Sequence, residues 1–64
     1  MKVKDILTRY DGEFTVYKEV KNRSGIDYEF CCDFNSNWNL TNKFINKEVK
    51  DFSVGYFHLN IFIK

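Results

Sequence analysis

The chain has no proline, no alanine and no glutamine, only three glycines, two cysteines and one histidine, and no long apolar run. Each scarcity excludes something. A membrane-spanning helix needs roughly 20 consecutive apolar residues, and no stretch comes near that, so no contact with a membrane is expected. One histidine and no C-x-x-C spacing fall short of a zinc ligand set, so neither a metal nor a cofactor is expected. There is no glycine-rich phosphate cradle. The acids are scattered rather than paired as glycoside chemistry requires. The expectation is therefore a protein that is not an enzyme. The opening stretch, MKVKDILTRYDGE, carries two lysines but neither the apolar segment nor the small-residue cleavage site of a secretory signal. A cytoplasmic location with reduced thiols follows as the expectation.

What is present points to a folded chain. Sixty-four residues make a single small domain, residues 1–64, near the lower size limit for independent folding. The chain is 44% hydrophobic and 19% aromatic with a net charge of +1, the reverse of the balance that keeps chains disordered. Phe, Tyr, Met, Ile, Asn and Lys make up half of it. All six have A/T-rich codons, which points to a low-GC genome such as that of a clostridial bacterium or its phage. Asn22-Arg23-Ser24 and Asn39-Leu40-Thr41 fit the glycosylation pattern, as chance provides in a chain this rich in asparagine.

Val3, Ile6, Leu7 and Tyr10 recur at helical spacing and predict a helix of about two turns, too short to persist undocked. Asp11-Gly12 then supplies a stop, with Gly12 free to take the left-handed C-terminal conformation. EFTVYKEV (13–20) alternates, with Phe14 and Val16 on one face and Thr15, Tyr17 and Glu19 on the other. KNRSGI (21–26) is a polar turn, and DYEFCCDF (27–34) alternates again, completing a hairpin. Residues 35–47 read as loop plus one helical turn, with Asn39 a candidate cap and Leu40, Phe44 and Ile45 on one face. EVKDFSV (48–54) and YFHLNIFI (56–63) form a second hairpin about Gly55. Phe57, Leu59, Ile61 and Ile63 share its core face; Tyr56, His58, Asn60 and Phe62 share the other. The fold class expected is α+β: a short N-terminal helix packed on a four-stranded, mainly antiparallel sheet made of two β-hairpins.

The adjacent cysteines invite a redox or metal reading. Strict alternation argues against it, because neighbouring strand side chains diverge. It puts Tyr28, Phe30, Cys32 and Phe34 on the core face. Asp27, Glu29, Cys31 and Asp33 fall on the outer one. Glu29 and Asp33 disfavour a Cys31 thiolate, hence a nucleophilic role. If the last turn is Val54-Gly55, Asp51 lies opposite His58, either as a modest cross-strand stabiliser or to orient the imidazole in a site. No Ser or Cys is placed to join it, which favours the structural reading, and Lys50 is left on the core face.

The outer face carries Tyr17, Cys31, Tyr56, His58 and Phe62, with Trp38 in a loop able to join either side. So many large groups on one face call either for an interface or for cover by the second helical segment. The candidate binding residues are Tyr17, Trp38, Tyr56, His58 and Phe62. A homo-oligomer with Tyr56 and Phe62 near its interface is expected. Ten basic residues beside many aromatics also admit nucleic acid, but the nine acids interleaved with them remove the basic stripe such binding needs.

The pattern "VKDIL..YDGEFTVY", then "NKEVKDFSV" and "LNIFI", resembles small accessory proteins of Firmicute phages and prophages, some of which are anti-defence proteins. The resemblance covers both ends of the chain and not residues 35–45, and it carries no site residues. It implies a non-enzymatic protein in the host bacterial cytoplasm that binds a host protein or immune complex stoichiometrically and so inhibits bacterial immunity. The alternatives are an oligomeric sponge holding a nucleotide immune signal, and a nucleic-acid-binding regulator.

Overall fold

A computed structural model describes residues 1–56 and 58–64; the core-facing position expected for Phe57 lies outside the described residues. The elements are α1 (Val3–Leu7), β1 (Glu13–Asn22), β2 (Gly25–Asp33), α2 (Trp38–Asn42), β3 (Val49–Gly55) and β4 (His58–Ile63). The fold is α+β, with a four-stranded sheet in the order β2-β1-β4-β3. Each hairpin is antiparallel, as expected, and the hairpins join through β1 and β4, which run parallel at the centre. The β1–β2 turn needs Gly25, whose φ of +125° is a conformation L side chains rarely adopt.

The helical stripe docks as its spacing predicts. Val3 is buried in the core, and Ile6, Leu7 and Tyr10 pack against it. The helix itself is only five residues and ends at Thr8 in right-handed geometry. Its first N–H groups are satisfied from a distance: Val3 donates to the Lys47 carbonyl at 3.0 Å and Lys4 to the Ile45 carbonyl at 2.8 Å. The expected left-handed stop at Gly12 is not used, since Gly25 alone among the glycines has positive φ. Gly12 instead leaves room for the end of the Tyr10 side chain. A Cβ there would meet the Tyr10 hydroxyl oxygen at 2.9 Å, and that hydroxyl donates to the Glu13 carbonyl.

The middle segment folds into α2, capped by Asn37 rather than Asn39. Asn37 has the extended backbone a cap requires, and its Oδ1 accepts from Leu40 N–H at 2.9 Å. Asn39 falls one residue inside the helix. Leu40 and Phe44 pack against the core as expected.

Val3, Val16, Cys32, Leu59, Ile61 and Ile63 form the buried core. Val16, Ile61 and Cys32 lie on one face of the sheet, and residues of both helical segments pack on that same face. The second segment therefore does not cover the outer face.

Two bulges correct the sequence-derived parities. In the β1–β2 ladder Val16 faces Cys32, but Tyr17 faces Phe30, which leaves Cys31 as an extra residue. Every β2 side chain before Cys31 thereby changes face. Cys32 stays in the core, as expected. Tyr28 and Phe30 do not join it; they stand on the outer face beside Glu19 and Tyr17. Cys31 is not on an acidic outer face but half-buried against the core. Asp27 and Glu29 move to the helix side, beyond the helices, where they remain exposed.

In the second hairpin Gly55 faces His58 and Asp51 faces Phe62. The expected Asp51–His58 pair is thus absent. The extra residue here is Lys50, which escapes the core face and pairs with Glu19.

Both cysteines are free thiols. Burial, then Glu29, pushes the Cys31 thiol up, against a smaller opposing pull from Lys18. Burial, then neighbouring Cys31, pushes Cys32 up from 9.0 to about 11. The folded chain therefore holds the Cys32 proton more tightly than the unfolded one. The stabilisation is complete below pH 9 and is lost as pH rises toward 11. Urea titrations at pH 8 and 11 should show the native protein losing about 2–3 kcal/mol more than Cys32→Ala does. Equal losses would place the Cys32 thiol outside the core.

Candidate functional site

The outer face is built from alternate residues of four strands, and its layers follow from the registers. Glu13 and His58 are neighbours at one end. Next come Asp33, Thr15, Asn60 and Ser53, one from each strand in sheet order. The third layer is Phe30, Tyr17, Phe62 and Asp51, and beyond it stand Tyr28 and Glu19. The face thus has a polar end, an aromatic centre and a far end where Lys21, Lys50 and Lys64 gather around Glu19.

The aromatic centre is a stack. Tyr17 and Phe62 rings lie 5.6 Å apart and nearly parallel, and Tyr28 tilts over Phe62 at 4.9 Å. Tyr28 and Phe30 are each more than half exposed. No helix lies over them among the described residues.

The polar end turns on His58. Thr15 Oγ1 lies 2.7 Å from Nε2, and Glu13 Oε2 lies 3.5 Å from Nδ1. The carboxylate favours a proton on Nδ1, which leaves Nε2 as acceptor for the Thr15 hydroxyl. Carboxylate, imidazole and hydroxyl stand in the order of a hydrolase triad, and the hydroxyl that the sequence reading did not find is Thr15. A nucleophile must reach its substrate, however, and Thr15 is only 7% exposed. The contact ties β1 to β4 across the centre of the sheet. Phe34 approaches His58 edge-on at 6.3 Å. It is placed by a turn in which Asp33 Oδ1 accepts from Asn35 N–H and the Ser36 hydroxyl accepts from Asp33 N–H.

Of the sequence-derived candidates, Tyr17, His58 and Phe62 lie together on this face. Tyr56 does not join their row: it lies in the β3–β4 turn, almost fully exposed. Trp38 opens α2 on the opposite layer, 66% exposed. The reading missed Tyr28, Phe30 and Phe34. One signal for the first two was available. Lys18 holds a core-side position on β1, so the strand beside it is a poor place for two buried aromatics.

Among the described residues no group of His, Cys, Asp and Glu is arranged to hold a metal ion. No described helix is long and apolar enough to cross a membrane. Comparison with family models, curated proteins and solved structures finds no match.

Thr15→Val should cost about 1 kcal/mol, the net worth of one hydrogen bond. Glu13→Gln, at an exposed partner, should change stability by less than about 0.5 kcal/mol. Urea denaturation of both variants checks this; a larger loss at Glu13 would make the carboxylate, not the hydroxyl, the tie between the strands.

Proposed function

We propose that this is a non-enzymatic binding protein that engages a protein partner through the open face of its sheet. One observation carries the reading: Phe30, Tyr17 and Phe62 form a row across three adjacent strands, flanked by Tyr28, on the face opposite both helices. Rigid aromatics on a flat, partly exposed surface with a polar surround are the ordinary make-up of a protein-binding centre. The near-burial of Thr15 supports reading the His58 network as structural. The resemblance to phage accessory proteins supports a host protein or immune complex as the target, in the bacterial cytoplasm, with inhibition of immunity as the outcome.

A second reading, a nucleotide sponge, draws support from Lys21, Lys50 and Lys64 beside the aromatic row, since stacking and cation contacts together suit a nucleotide. Glu19 sits among those lysines and is paired with Lys50, which weakens the site for phosphate. Nucleic acid is served less well, because Glu13, Glu19, Asp33 and Asp51 stand on the same face.

Capture from a host lysate should retain a partner in stoichiometric amount. Phe30→Glu should abolish capture while changing stability by no more than about 1 kcal/mol, since the site is more than half exposed. Phe62→Glu should abolish it too. Unchanged capture by both variants would remove this face from the function. Native mass spectrometry showing a bound nucleotide would favour the sponge. Self-association that Phe62→Glu abolishes would assign the face to a second copy.

A further inference from the structure

The aromatic row runs out to a sheet edge, and that edge has its own chemistry. β2 is an outermost strand and, at nine residues, the longer of the two at the edges. It contains no proline, and its bulge lies at one end, so Gly25–Phe30 is regular. Exposed edges of this kind accept further strands. The other edge, β3, is shorter and bulged at Lys50.

Along β2 the residues Ile26, Asp27, Tyr28, Glu29 and Phe30 alternate apolar and acidic. The three apolar side chains stand on the outer face, each about half exposed. The two acids stand on the helix side, also exposed, and neither has an ion-pair partner among the described residues. Tyr28 N–H donates to the Asp27 carboxylate at 3.0 Å, so a backbone donor is held by the side chain next to it. A carbonyl of an added strand would replace that carboxylate, and a cation on the same strand would take the carboxylate over.

Pairing with the β2 of a second copy is disfavoured. Two-fold antiparallel pairing of β2 with itself keeps like faces together. The registers that overlap Asp27 and Glu29 set Asp27 against Asp27, Asp27 against Glu29, or Glu29 against Glu29. Like charges directly opposite are destabilising. The edge selects against itself and for the opposite sign.

We propose that the free edge of β2 accepts, as an added strand, an extended segment of a partner protein in which apolar residues alternate with Lys or Arg. The apolar positions extend the aromatic row on the outer face, and the cations meet Asp27 and Glu29 on the other. This rests on the protein-binding reading and names the chemistry of that partner.

The probes are capped nine-residue peptides titrated calorimetrically into the whole protein: one alternating Val and Lys, its Val–Glu counterpart, and the Val–Lys peptide methylated at alternate backbone nitrogens. The Val–Lys peptide should bind, and the other two should bind at least tenfold more weakly. Hydrogen exchange at the Tyr28 amide should slow in the complex. The double variant Asp27→Lys, Glu29→Lys should reverse the preference and gain the Val–Glu peptide, a gain that misfolding cannot produce. Asp11→Lys, at an exposed acid just before β1, should change nothing. Binding that survives both methylation and charge reversal would overturn the proposal, as would no binding of the Val–Lys peptide. If that happens while capture of the partner still depends on Phe30 and Phe62, the edge is excluded and the open-face reading stands. If capture is indifferent to those two residues as well, both fall.

Discussion

A single extra residue, Cys31, decides what each side of this sheet is for. Strand side chains alternate with a period of two, so one unpaired residue moves everything on one side of it to the opposite face. With Cys31 bulged out, Cys32 stays against Val16 in the core while Phe30 and Tyr28 pass to the open side. An unbulged β2 would have placed both aromatics alongside Lys18, at the margin of a helix layer that is only two short helices wide. The bulge puts them beside Tyr17 and Phe62 instead. The place of Tyr28 and Phe30 beside the Tyr17–Phe62 stack and the acidic edge on the other side both follow from that displacement.

The helix layer is small because its helices are. Neither α1 nor α2 exceeds five residues, and such helices do not persist alone. Each is held by groups outside itself: α1 by the carbonyls of Lys47 and Ile45, α2 by the Asn37 side chain. Together they cover only the stretch of sheet around Val16, Cys32, Leu59, Ile61 and Ile63. That is enough to bury one compact group of aliphatic side chains. It leaves Tyr28 and Phe30 on the other face with no described helix to cover them.

Much of this was legible in the sequence, and the failures have a common cause. Period-2 and helical patterns located all four strands and the docking stripe of α1, and they placed Leu59, Ile61 and Ile63 correctly in the core. Cys32 was also placed correctly, although through a parity that fails for its neighbours. The errors sit where one residue is inserted or a turn shifts. Cys31 and Lys50 are bulges that no local propensity marks, and the second hairpin closes at Gly55 and His58 rather than around Val54-Gly55. Displaced pairing is what replaced the expected Asp51–His58 contact with Glu13, His58 and Thr15. That network joins β1 to β4, and their parallel pairing is long-range, so no local pattern announces it. Trp38 joins the candidates on residue type alone, and type does not fix the face. Tyr56 joins them by alternation with His58 and Phe62, but β4 begins only at His58.

The open face and the acidic edge solve one problem together. A small domain with half-exposed Ile26, Tyr28 and Phe30 on an outermost strand has the makings of an aggregating edge. Interposing Asp27 and Glu29 leaves the apolar residues available on one face and makes edge-to-edge pairing of two copies repulsive on the other. The Asp27 carboxylate also occupies the Tyr28 N–H, so the edge is not left with that donor bare. Lysines at these positions would discourage self-pairing equally well, since the effect depends only on like sign. The choice of acids therefore carries information that protection alone does not require: it leaves the edge repulsive to its own kind and attractive to a basic strand.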